Sequence, residues 1–197
     1  MYENQSTVAG ISGSFNEPNW KVKHTKSLGE LQEKHTERGL FMNKLELGGD
    51  KKNALIILVG PPASGKSTWG KKFAKENDVE YVSTDELRAQ LGSGEADQSV
   101  SAQAFGVARR KISDALHVGK SAMIDATSVN RKSRRDWINM GRGAGAFIIA
   151  VAFEVPTDEL YRRDAQRDRH VGPEIIDRFV AKYERPSHQE VDKVIVK

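Results

Sequence analysis

Nine consecutive residues, Gly60 to Thr68 (GPPASGKST), carry the most specific chemistry in this 197-residue chain. Their spacing is G-x-x-x-x-G-K-S, met by Gly60, Gly65, Lys66 and Ser67. Glycines let the backbone curl until successive N–H groups converge on phosphate oxygens. A helix starting directly after such a turn aims its positive dipole end at the anion. A lysine in the place of Lys66 bridges the β- and γ-phosphates, and a hydroxyl in the place of Ser67 ligates Mg²⁺. Gly60, Ala63, Ser64, Gly65, Lys66, Ser67 and Thr68 are therefore expected to bind a nucleoside triphosphate with magnesium, with Ser67 as the metal ligand.

A triphosphate site alone does not name the acceptor. Asp85 and Arg88 follow in the segment STDELR, directly after the second apolar run. In an open parallel sheet, ligands sit at the carboxyl ends of strands. A carboxylate there can accept the proton of an attacking hydroxyl. Arg88, three residues on, shares a helix face with Asp85 and could hold an anionic acceptor. Helix capping is the competing reading, since Ser83 and Glu86 have the spacing of a capping box. Asp125 closes the third apolar run, just before Thr127, and suits either support of the magnesium shell or orientation of the acceptor. Arg163 and Arg167 are four residues apart in an arginine-rich stretch expected to be helical. A guanidinium there could stabilise charge on the transferred group, whereas the interleaved Asp164 and Asp168 equally fit a solvated helix face. Arg131, Lys132, Arg134 and Arg135 form a further basic cluster, read either as a polyanion contact or as a solvated face.

These residues need a scaffold, and the hydropathy pattern supplies one. ALIILV (54–59) is a wholly apolar run, as expected for a strand covered on both faces of a parallel sheet. Further strands are expected at 79–83, 121–125, 146–155 and 191–196. Between them helices are expected at 66–76, 85–91, 100–118, 131–140 (closed by the glycines of GRGAG), 156–169 and 173–183. Alternating strands and helices predict an α/β domain with an open parallel sheet of about five strands, spanning residues 51–197. Residues 1–50 read as a partly flexible N-terminal arm with one short helix over 27–38. Six positive charges face seven negative ones in residues 1–50, so of the formal net charge of +4, residues 51–197 carry +5. That excess permits a polyanionic partner without requiring one. The chain has no cysteine, which rules out disulfides and thiolate metal sites and suits a cytoplasmic location. No apolar run approaches the roughly 20 residues that span a bilayer, so no membrane partner is expected. The sequence leaves monomer and homo-oligomer equally open.

Taken in order, GPPASGKSTW, STDELR, IDATSVNRKSRR, LYRRDAQR and GPEIIDRF resemble the kinase domain of the bacteriophage and bacterial polynucleotide 5′-kinases, over about residues 53–197. The resemblance implies a P-loop kinase using ATP and Mg²⁺ that phosphorylates the 5′-hydroxyl end of DNA or RNA. It implies Asp85 as general base and Lys66 and Ser67 at the triphosphate and its metal. It further implies Arg88, Asp125 and Thr127 in the acceptor pocket, and Arg167 as a lid arginine with Arg163 nearby. One departure is Ser128, which stands where the family often has asparagine. The D-x-D-x-T phosphatase and K-x-D-G ligase signatures are not found in the sequence, so separate phosphatase and ligase proteins are expected to complete any repair of ends. Small-molecule kinases of the gluconate, shikimate, antibiotic or zeta-toxin type share the same core and are the main alternative. A nucleotide-controlled binding module is a second.

Overall fold

The structure is a computed structural model and describes residues 53–197. The arm read over residues 1–50 lies outside the described residues. The described chain runs β1 (Ala54–Val59), α1 (Lys66–Asn77), β2 (Glu80–Ser83), α2 (Thr84–Leu91), α3 (Ser101–His117), β3 (Ala122–Asp125), α4 (Arg131–Gly143), β4 (Phe147–Ala152), α5 (Thr157–Asp164), α6 (Pro173–Ala181) and β5 (Lys193–Val196). The five strands form one sheet in the order β2-β3-β1-β4-β5, and every pairing is parallel. This is the P-loop kinase fold that the motifs predict.

Central β1 is buried along its whole length, as its unbroken apolar sequence requires. Val82 pairs with Ile124, and Ser83 with Asp125, while Ile57 pairs with Ile124. The carboxyl ends of β1, β2 and β3 therefore lie side by side, each about 4.8 Å from the next. That edge carries the phosphate-binding loop, the start of α2 and the β3–α4 loop. Helix α1 presses close to the sheet at Gly70, where a Cβ would meet Leu58 at 2.8 Å, Tyr81 at 3.0 Å and Met123 at 3.2 Å. Only a residue without a side chain lets the helix start this near the strand ends.

Three boundaries differ from the sequence reading by three residues or more, each for a packing reason. Helix α4 continues through the expected stop to Gly143. Gly141 lies inside it because a Cβ there would meet Ile148 at 2.6 Å and Leu55 at 2.8 Å. Its glycine answers crowding, and the chain turns later, at Gly145 with φ 72°. Strand β4 stops at Ala152, opposite Val59, where β1 itself gives way to the loop. Helix α5 ends at Asp164, five residues short of the expected 169. The Asp164 carboxylate there accepts hydrogen bonds from the N–H groups of Val171 at 3.1 Å and Gly172 at 3.0 Å. Residues 165–172 are thereby held as a turn, and Arg163 and Arg167 do not share a helix face.

Candidate active site

The loop after β1 has the shape its glycines allow. Gly65, the residue before α1, has φ 91°, and Ala63 takes a left-handed φ of 60° that costs a non-glycine residue about 1 kcal/mol or more. Such a conformation persists when its surroundings over-determine it. The Lys66 side chain is buried beneath the loop, and its Nζ donates to the Pro61 carbonyl at 2.8 Å and to Ser64 Oγ at 3.4 Å. Burial pulls its pKa down to about 8, partly offset by the carboxylates of Asp125 and Asp85. An incoming triphosphate would favour the charged ammonium through the same Coulombic attraction.

A cavity of about 620 Å³ opens beside this loop. Its walls include Ala63, Ser64, Gly65, Lys66, Ser67 and Thr68 from the loop and α1. Asp85 and Arg88 from α2, Asp125 and Thr127 from the end of β3, and Arg163 and Arg167 from α5 and its turn complete them. The residues expected at the triphosphate and at the acceptor thus line one cavity, except Gly60, and the basic cluster at Arg131, Lys132, Arg134 and Arg135 does not line it. Gly60 shapes the turn instead, with φ 153° and with Ser64 and Phe153 within 3.1 Å of where a Cβ would stand.

Asp85 and the capping reading are separable in three dimensions. Ser83 Oγ accepts from the Glu86 N–H at 3.4 Å and caps the helix, while Glu86 pairs with Lys71 at 2.6 Å. Asp85 is left to face the cavity, half exposed and ion-paired with Arg88. Arg88 is nearly buried, and its Nε donates to the Glu95 carbonyl at 2.8 Å. Its guanidinium is therefore pinned from one side and open toward the cavity on the other. Ser128 is buried away from the cavity, and its carbonyl accepts from Arg134 at 3.2 Å.

Tyr81, unremarked in the sequence, connects two of these groups. Its hydroxyl donates to Asp125 Oδ2 at 2.6 Å and is hydrogen-bonded in turn by the Ser67 side chain. Burial, and then the neighbouring Asp125 charge, push the Tyr81 hydroxyl above its ordinary pKa. A strand tyrosine ordinarily reads as packing, and nothing in its spacing signals this role. Gly70 is the indirect clue, since the space it leaves is where the tyrosine ring passes.

The donor set fits a magnesium triphosphate. Among the described residues no group of three or more His, Cys, Asp or Glu is placed to hold a metal ion. Mg²⁺ does not need one, because it keeps several waters and takes one or two protein ligands together with substrate phosphates. Ser67, with Asp125 behind it through Tyr81, supplies that number.

Asp164 governs how the two arginines are presented. Burial alone would raise its carboxyl, but the N–H groups of Gly172 and Val171, and then Arg167, hold it below the ordinary carboxylate range. A depressed pKa contributes stability that is complete above the unfolded value of about 3.9 and is lost as pH falls through the folded value. Asp164→Asn is thus expected to lower stability by about 2 kcal/mol at pH 7, a fall in Tm of roughly 6 °C. The gap to the parent protein should begin to narrow below about pH 4 and close as pH falls through the parent's lowered carboxyl pKa. Thermal melts of both proteins from pH 3 to pH 8 would show it, and a gap independent of pH would refute the charge argument.

Comparison with known proteins adds context to this geometry. Residues 55–186 match the family described as an AAA domain, AAA_33. The chain is 26% identical over 137 residues to the L-seryl-tRNA(Sec) kinase of Methanococcus maripaludis, covering 67% of this chain and 53% of that protein. It is 29% identical over 148 residues to the shikimate kinase of Corynebacterium glutamicum, covering 70% of this chain and 82% of that one. Among solved structures, a chain of the Pnkp1/Rnl/Hen1 RNA repair complex superposes with a TM-score of 0.61 at 25% identity, over 68% of this chain and 45% of that one. The chain thus spans about half the length of the seryl-tRNA kinase and less than half of the repair-complex chain. A gluconokinase from Sinorhizobium meliloti shares the fold, with a TM-score of 0.52 at 13% identity over 74% of this chain and 82% of that one.

Proposed function

The chain belongs to the AAA_33 family of AAA domains, and on that basis we propose that it is an ATP-dependent polynucleotide kinase, moving the γ-phosphate of ATP to the 5′-hydroxyl end of a DNA or RNA strand. One observation carries the reading. Asp85 and Arg88 line the same cavity as Lys66 and Arg167, so a carboxylate and a guanidinium are available to an acceptor beside a phosphate-binding loop. The similarity to a chain of an RNA repair complex supports a nucleic acid acceptor.

In this reading Asp85 accepts the proton of the 5′-hydroxyl as its oxygen bonds to the γ-phosphorus. The bond from that phosphorus to the β–γ bridging oxygen breaks, and ADP leaves with the electron pair. The loop N–H groups and Lys66 bind the β- and γ-phosphates, and Arg167 faces the group in transit. Magnesium, when bound at Ser67, neutralises charge on the phosphate oxygens. Arg88 holds a phosphate of the acceptor, and Asp125 with Thr127 borders that pocket. Separate phosphatase and ligase proteins would act on the ends that this domain leaves. The domain boundary at residue 51, the cytoplasmic location and the role of the arm at 1–50 belong to the same proposal.

Incubation with γ-labelled ATP, Mg²⁺ and a panel of acceptors tests it. Label is expected at the 5′ end of 5′-hydroxyl DNA or RNA oligonucleotides. Label appearing only on shikimate, gluconate or a nucleotide sugar would favour the small-molecule reading, for which the 82% coverage of the shikimate kinase speaks. ATP binding with no acceptor labelled would favour the nucleotide-controlled module.

A further inference from the structure

A second groove, of about 550 Å³, is lined by Arg131, Lys132, Arg135, Glu184, Arg185 and Glu190. The two share the β3–α4 loop, because Thr127 lines the first and Arg131 the second. They are four positions apart in the chain, so their Cα atoms are at most about 14 Å apart. That connection is fixed in place. Asn130 and Ser133 form a reciprocal capping box at the start of α4. The Glu184 N–H donates to the Val129 carbonyl at 2.8 Å. Arg134, fully buried, donates to the carbonyls of Ser128 at 3.2 Å and Glu184 at 2.9 Å. Arg134 therefore leaves the basic cluster read from the sequence and serves as the clamp beneath it, while Arg185 joins that cluster from the segment after α6.

The groove is lined by four cations and two carboxylates, and most of these already have partners. Both oxygens of Glu190 are taken by Arg134, at 3.0 Å each. The Glu184 carboxylate accepts the Arg131 N–H at 2.7 Å. Arg185 reaches out to Glu154 at 3.0 Å. Lys132 and Arg135 are exposed, one turn apart on α4, and without an ion-pair partner among the described residues. Cations with no counter-charge beside a polyphosphate site are suited to a regularly charged backbone.

We infer that this groove binds the phosphodiester backbone of a single-stranded polynucleotide acceptor, holding the nucleotides that follow the reacting 5′ end. The inference rests on the polynucleotide reading above. A strand whose first sugar lies by Thr127 passes along the loop and sets its next phosphates against Lys132 and Arg135. Backbone contacts of this kind raise affinity without reading sequence, and each phosphate neutralised releases counterions.

The test compares a nucleoside 3′-monophosphate, which fills only the first cavity, with a 5′-hydroxyl 12-mer, using the parent protein and the Lys132→Ala/Arg135→Ala double variant. For the 12-mer, KM should rise roughly tenfold in the variant, and the slope of log(kcat/KM) against log[salt] should flatten by about 1.4, or 0.7 for each lost contact. For the monophosphate, both constants should stay within about twofold. Unchanged 12-mer kinetics, or equal losses with both acceptors, would overturn the groove assignment. If the parent protein phosphorylates neither acceptor, the function reading falls by itself. Fluorescence anisotropy of a labelled 12-mer then judges the groove separately, with weaker binding by the variant supporting it and equal binding refuting it.

Discussion

Asp85→Ala is expected to lower kcat for phosphoryl transfer by about 10²–10⁴-fold, the usual contribution of a positioned general base, while ATP affinity changes by no more than about twofold. The expectation rests on how α2 divides its labour. Ser83 caps the helix, Glu86 pairs with Lys71, and Asp85 alone of the three turns to the cavity. Removing it should leave the helix intact. Its partner Arg88 keeps the bond to the Glu95 carbonyl at 2.8 Å, so the guanidinium should stay where it is. In the proposed reading ATP lies on the phosphate-binding loop, and loss of a nearby carboxylate would if anything ease its binding. Single-turnover transfer measured beside calorimetric nucleotide titration separates the two effects. A variant that keeps its transfer rate would remove Asp85 as the base, and one that loses ATP binding in parallel would show that α2 had been disturbed.

The parts of this site set by local sequence were legible, and those set by distant partners were not. β1 and the loop after it follow from six apolar residues and a fixed glycine spacing, so the loop residues that line the cavity could be named from sequence. Asp85 and Asp125 were found because both sit where strands end, a position that parallel topology makes chemical. Arg134 was misplaced among surface cations because its carboxylate partner lies 56 residues away, and no local pattern announces that pairing. Tyr81 was missed for the same reason, since its partner Asp125 is 44 residues on and adjacent only through the β2–β3 register. The end of α5 was overshot because the 157–169 segment has no glycine or proline to mark a stop. A tertiary bond from Asp164 to Gly172 outweighs propensities worth a few tenths of a kcal/mol per residue. That last difference bears on function, because it moves Arg167 off a helix and onto a turn.

Arg167→Ala is expected to lower kcat by about 10²–10³-fold, with KM for ATP rising only a few-fold. The two lid arginines are not equivalent. Arg163 is committed, with Nε donating to Glu159 at 2.6 Å and Nη1 to the Ser64 carbonyl at 3.4 Å. It reads as a brace between α5 and the phosphate-binding loop. Among the described residues Arg167 has one ion pair, a loose one with Asp164 at 3.6 Å, and it is 46% exposed, so in the proposed reading its guanidinium can swing over the transferring phosphate. An interaction formed mainly in the transition state lowers kcat and kcat/KM together when it is removed. Arg163→Ala should instead act through nucleotide affinity and stability, with a smaller effect on kcat. Arg167→Lys should recover only part of the rate, since an ammonium supplies the charge without the planar fork. Pre-steady-state rates for the three variants, measured at saturating ATP, give the ranking directly. Equal losses at both arginines, or full activity in Arg167→Ala, would mean that the turn held by Asp164 presents no catalytic cation.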